Sequence, residues 1–251
     1  MSPLSTSLIV LGCVFGGALA GMALRVVLPE HHRSTESRDI VKLGMGLIAT
    51  MSALLLGLLV ASAKSAYDQQ KNELTQMTSK LLFLDHSLAR YGPETREARD
   101  LLRDATARAI DQLWPKDPSH PNAATQMVAG GDRVYERIQE FSPKSELQRS
   151  LQAQASSTAI EMRQTLRLMF EQRGTSVSTA LLVVVVFWLT IIFMSFGLFA
   201  PPNATVTATL FVCALSVSCA IFLILEMDRP FEGLLQISSA PLRDAFAHLG
   251  R

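Results

Sequence analysis

The densest chemistry in the sequence lies in one short stretch. Glu226, Asp228, Arg229 and Glu232 crowd around Pro230 and Phe231 in "EMDRPFE", directly behind an apolar run that ends at Leu225. Carboxylates at this spacing can pair with the guanidinium, or can turn oxygen atoms toward a hard cation. An exposed pair contributes only about 0–1 kcal/mol. Proline disfavours α geometry at the residue before it, so the preceding helix is expected to end near Glu226. Metal binding by the three acids stays open on the sequence alone. Other chemistry is sparse. His31 and His32 are adjacent, and neighbouring positions on a helix point apart. His86, His120 and His248 are dispersed, and Cys13, Cys213 and Cys219 lie in apolar runs. That pattern is neither a disulfide framework nor a zinc site. No HExxH, CxxC, Gly-x-Ser-x-Gly or phosphate loop occurs. The expectation is a protein that is not an enzyme and carries no cofactor.

The elements around this stretch look like membrane helices. The chain is 49% hydrophobic, with a net charge of +1. A mixed protein is indicated, with apolar spans and one solvated domain, and nothing in the charge suggests nucleic acid as a partner. A span needs roughly 20 apolar residues. No charge occurs over 2–24, 43–63 or 174–225, and the last run is long enough for two spans. Pro201-Pro202-Asn203 divides it as the turn of a helical hairpin. Four spans are expected, near 4–28, 41–64, 177–199 and 204–226. Ala18-Leu19-Ala20 resembles a leader cleavage site, but no Lys or Arg precedes it, so the first span is expected to be retained.

Small residues mark contact faces. Gly12, Gly16 and Ala20 recur every fourth residue, as do Gly17 and Gly21. Such spacing lets helices approach closely in lipid, within one subunit or between subunits. The fourth span carries Thr205, Thr209, Cys213, Ser216 and Ala220 on one face, read either as packing or as the wall of a hydrated path. No charged residue sits in the core of a span, which argues against proton coupling and voltage sensing. Orientation is divided. Arg25, Arg33, Arg38 and Lys42 favour the first loop inside; Lys64, Lys71, Arg163, Arg167, Arg173 and Arg229 favour the other face, with the balance toward the large domain in the cytoplasm.

Residues 67–174 carry 15 basic and 15 acidic side chains, a balanced solvated surface. Leu74, Met77, Leu81, Leu84, Leu88 and Tyr91 follow steps of three and four, a heptad stripe that Gly92-Pro93 ends. A second helix is expected from about Pro93 to Trp114. A weaker third carries Val134, Ile138 and Phe141. A fourth carries Leu147, Leu151, Ala155, Thr158, Met162, Leu166 and Met169 and continues almost unbroken into span three. "WPKDPSHPN" at 114–122 is a proline-rich connection. Ser238-Ser239 and Pro241 start a short last helix.

Four stretches carry a resemblance: "LARYGPETREARDLL" (88–102), "FEQRGTSV" (170–177), "FGLFAPPNATV" (196–206) and "LILEMDRPFEGLLQISSAPLRDA" (223–245). Together they resemble a bacterial family of four-span membrane proteins labelled bestrophin-like, over nearly the whole chain. The label implies no established activity. A more distant similarity to bestrophins implies pentameric anion channels with helical cytosolic extensions. It makes Pro230-Phe231-Glu232-Gly233 similar to their motif after the last span, and Glu226, Asp228 and Glu232 analogues of their calcium clasp. The bestrophin pore neck is aromatic, whereas no Phe, Tyr or Trp occurs from Ile40 to Ala66. Leu54, Leu55, Leu58 and Leu59 would form a hydrophobic constriction instead, and selectivity is not carried over. Thr205, Thr209 and Ser216 are the further pore-lining candidates.

These readings give an all-α protein with four transmembrane helices and an extramembrane helical bundle inserted between the second and third. The expected divisions are 1–66, 67–174, 175–227 and a tail of 228–251. The expected function is a homo-oligomeric ion channel, for anions, multi-pass in the inner membrane of the cell. Its partners are the lipid bilayer, further copies and ions. The alternative is a membrane-anchored scaffold or sensor acting through its helical domain, without transport. The heptad stripe separates them, because a docking protein needs that stripe on its surface.

Overall fold

The computed structural model describes residues 2–27, 35–114, 123–171, 178–201 and 203–250, without the side chains of 35–38, 123–129 and 170–171. The histidine pair, Arg33, residues 115–122 of the proline-rich connection, Pro202 and the 172–177 join into span three lie outside them. All regular structure among the described residues is helical. The helices are α1 (Pro3–Val27), α2 (Thr35–Tyr91), α3 (Arg96–Leu113), α4 (Ala123–Gln139), α5 (Glu146–Glu171), α6 (Thr179–Phe199), α7 (Ala204–Met227) and α8 (Ala240–His248). Four of them, α1, α2, α6 and α7, are long and apolar enough to cross a membrane.

The helix ends follow local chemistry. No Gly or Pro interrupts α2 from Leu58 to Tyr91, and the helix stops at Gly92 with φ 141°, a region that a side chain rarely adopts. Pro93–Thr95 then forms a 3₁₀ turn. The Thr95 hydroxyl donates to the Leu88 carbonyl at 2.6 Å and to that of Gly92 at 2.8 Å, which satisfies acceptors freed by the helix end.

The chain forms two compact units, 1–66 with 175–228 and 67–174 with 229–251. In the first, α1 packs against α6 and α7. Val10, Val14 and Ala18 meet Leu182, Phe193, Ala214 and Ile221 in its core. Phe15 stands edge-on to Phe211 at 5.2 Å. Glycines set the approach of α1 and α6. A Cβ on Gly17 would lie 2.8 Å from the Thr190 carbonyl oxygen, and one on Gly21 would strike the Met194 carbonyl. Gly197 is tight in the same way against Ala18. The Arg25 guanidinium donates to the Ala200 carbonyl, placing a cation at the negative end of α6. A smaller cluster joins α2 to α6 and α7 through Leu59, Ala63, Val185 and Ile224.

The second unit has one continuous core. The stripe Leu74, Met77, Leu81, Leu84, Leu88 and Tyr91 is buried against Leu102, Ile110, Val134, Ile138, Ala155, Met162 and Met169. Leu147 departs from the expected stripe: it lies in the first turn of α5 and is exposed, so the buried face starts at Leu151. The tail belongs to this core as well. Phe231, Ile237, Leu242, Ala245 and Leu249 are buried in it.

Candidate functional site

The stretch after Leu225 is built as a turn with an aromatic anchor. Glu226 sits in the last turn of α7 and is only 6% exposed. Asp228 closes the helix, its N–H donating to the Ile224 carbonyl at 3.2 Å. The Glu232 N–H donates to the Arg229 carbonyl at 3.1 Å, and Gly233 follows with φ 81°. Pro230 is buried, and its carbonyl accepts from the Ile237 N–H at 2.6 Å. Phe231 stands edge-on to Trp114 with ring centroids 5.6 Å apart, and the Trp114 indole N–H donates to the Ile237 carbonyl at 2.8 Å. Arg229 and Glu232 are exposed. No group of three metal-ligating side chains converges among the described residues.

The remainder of the tail is clamped to α2 and α3. Asp85 accepts from Arg99 Nε at 2.8 Å and Nη2 at 3.0 Å, a bidentate pair, and the Gly250 N–H points at the same carboxylate at 3.4 Å. The bond to Asp85 holds the Arg99 guanidinium above its ordinary range, against the opposing effect of burial. Arg103 donates to the Leu249 carbonyl at 3.2 Å and lies over the Phe246 ring at 5.1 Å. The sequence reading did not single out Asp85, Arg99, Arg103 or Trp114. The available signal was an acid beside Leu84 in an otherwise apolar stripe, where a buried charge needs a partner.

The four leucines of α2 do not share one surface. Leu54 and Leu58 are 71% and 56% exposed, whereas Leu59 is 3% exposed against Ala63, Val185 and Ile224. Leu55 is half-buried beside that cluster. The geometry explains the division, since residues four apart share a helix face and adjacent ones differ by about 100°. Leu54 and Leu58 continue an exposed apolar row through Ile40, Leu43, Leu47 and Met51.

Thr205, Thr209, Cys213 and Ser216 are exposed along α7. The Thr209 hydroxyl donates to the Thr205 carbonyl and that of Ser216 to the Val212 carbonyl, both at 2.9 Å. These hydroxyls are thus satisfied within their own helix. The two glycine series on α1 separate: Gly17 and Gly21 face α6, while a Cβ on Gly12 or Gly16 would meet nothing within 4 Å. The heptad stripe of α2 is inside the second unit's core, so it offers a partner no docking surface.

Against this geometry, the family model for the Bestrophin-like domain matches residues 12–242. No curated protein matches the chain. Two crystal structures, both point mutants of a bacterial bestrophin homologue from Klebsiella pneumoniae, are similar in fold, with TM-scores of 0.63 and 0.62. Each is 13% identical, and the likeness covers 93% of this chain and 96% of the other.

Proposed function

The chain belongs to the bestrophin-like family, and from that membership we propose that it forms a homo-oligomeric ion channel, with anions as the permeant class, in the inner membrane. It is a multi-pass membrane protein by its family and its four apolar helices.

The observation that carries the channel reading is the uncovered surface of α2. Only 11% of its most apolar window is buried, against 28% in each of α1, α6 and α7. Three glycines on that surface, Gly44, Gly46 and Gly57, have nothing within 4 Å of where a Cβ would stand. Glycine inside a helix costs about 0.8–1.0 kcal/mol relative to alanine. Close approach by another copy offsets that cost, because small residues let backbones meet in lipid. Assembly around α2 turns Leu54 and Leu58 toward a shared axis and makes them a hydrophobic constriction. Leu59, held inside its own subunit, stays out of the path. With no charged side chain over 2–24, 43–63 and 174–225, the cores of the spans, passage through such a path needs no titration. The protein performs no catalysis in this reading.

The test is chloride flux from liposomes containing the purified oligomer. Flux is expected, with Leu54→Ala and Leu58→Ala raising it several-fold by widening the constriction. A folded oligomer that passes neither anions nor cations would remove the channel reading.

A further inference from the structure

We propose that the core of the second unit contains a binding site for a small, uncharged, apolar molecule. A partly open, mainly apolar pocket with about 40 Å³ of free volume lies among α2, α3, α4 and α5. One water needs roughly 10–15 Å³, and protein interiors rarely leave larger voids unfilled. Leu84, Leu102, Val134 and Leu166 form its walls. The room comes from small residues, Ala109 and Ala159, where the facing helices would otherwise fill it.

The helices cannot collapse into this space, because they already touch beside it. A Cβ on Gly130 would stand 3.3 Å from Ala105 Cβ, and one on Gly131 would stand 3.2 Å from Arg163 Cγ. Glycines at both points bring α4 as near to α3 and α5 as their backbones and stems allow. The void is therefore set by the contacts around it.

Its polar neighbours are already occupied, which defines the ligand. The Thr106 hydroxyl donates to the Leu102 carbonyl at 2.8 Å. Arg163 pairs with Asp132 at 2.5 Å and lies over the Tyr135 ring at 5.3 Å. No lining group asks for a charge or a water. An apolar cavity of about 150 Å³ accepts benzene or xenon, and the smaller volume here leaves room for an occupant no larger than xenon. Met77 and Met162 add unbranched thioethers that adjust to the shape of an occupant. The site suits a single xenon atom or an apolar molecule of roughly one to three non-hydrogen atoms. This inference is independent of ion conduction.

The experiment is a xenon titration under pressure of the full-length protein in nanodiscs, read by NMR of methionine methyl groups. The Met77 and Met162 signals should shift and saturate. Met51, exposed on the apolar row of α2, reports simple partition into lipid and should drift linearly. Ala159→Leu fills the cavity and should weaken the saturable shift at least tenfold. Ala109→Leu does the same from α3 and serves if the first variant fails to fold. The proposal is overturned if Met77 and Met162 stay still in the wild type. It is equally overturned if they only drift with Met51, or if saturation persists in a folded, filled variant.

Discussion

The two units of this molecule use opposite packing strategies. The helical unit of 67–174 and 229–251 encloses one apolar core and ties its last segment down with directed polar bonds. The apolar unit holds α1 against α6 and α7 through glycines and leaves the spanning part of α2 largely uncovered. The difference follows from the solvent. In water, burial of apolar area drives association, so a stripe such as Leu74 to Tyr91 must be enclosed. In lipid that drive is absent between helices, and close packing of small residues replaces it. An uncovered leucine row is therefore tolerable in the apolar unit and would be a defect in the other.

The sharpest way to break the comparison is to put the same side chain on the two glycine faces of α1. Gly21→Ala drives a methyl into the Met194 backbone, where nothing can rotate away. Overpacking costs about 1–3 kcal/mol and occasionally more; with backbone as the clashing partner the upper end applies, so folded protein should be largely lost. Gly16→Ala meets no atom of its own chain, and the subunit fold should survive, with only the oligomer at risk. Trp188 lies in α6 and Trp114 in the other unit, so a Trp114→Phe background makes fluorescence report the apolar unit alone. Equal damage from the two variants would show that the glycine contact with α6 is not what holds this unit.

The helical unit has its own point of failure in Asp85. Asp85→Ala leaves the Arg99 guanidinium without its bidentate partner, in a pair whose side chains are 11% and 18% exposed. Breaking a buried pair from one side costs about 3 kcal/mol. Removing both partners should restore part of that loss, because no unpaired charge then remains. Trp114 emission in a Trp188→Phe background measures it. A double variant no better than the single one would assign the loss to something other than the stranded charge.

Much of this contrast is legible in the residues. Charge-free runs mark the spans, steps of three and four mark the α2 stripe, and Gly92-Pro93 marks its end. What local pattern does not contain is the identity of a partner. Gly12 and Gly16 have the same spacing as Gly17 and Gly21, yet only the second pair meets α6. Leu54 and Leu58 are separated from Leu55 and Leu59 by helical geometry, but which pair faces the neighbours depends on Val185 and Ile224, far away in sequence. Glu226 marks the expected end of its helix, and its burial is not written in the local pattern. The seat of Phe231 on Trp114 joins residues 117 positions apart, between 114 and 231.

The smallest expected effect sharpens the picture of the helical core. Tyr91 ends the α2 stripe 5.1 Å from the Phe141 ring, and its hydroxyl is buried with no hydrogen-bond partner. It lies in the second unit, well past Lys64, where the charge-free run ends. Burial, and secondarily the Glu94 carboxylate, push the phenol above its ordinary range. Two consequences have definite signs. An unmet buried hydroxyl costs about 1–3 kcal/mol, so Tyr91→Phe should stabilise this unit at neutral pH by about 1 kcal/mol. The folded state also prefers the neutral phenol, because its folded value lies above an unfolded value of about 10. Its contribution is complete below that pH and disappears as pH rises through the folded value. The phenylalanine variant has no such group, so its advantage should widen between about pH 8 and about pH 11. Trp114 emission under denaturant reads both. An advantage that stays constant across that range would mean the hydroxyl ionises as freely in the folded unit as in the unfolded chain.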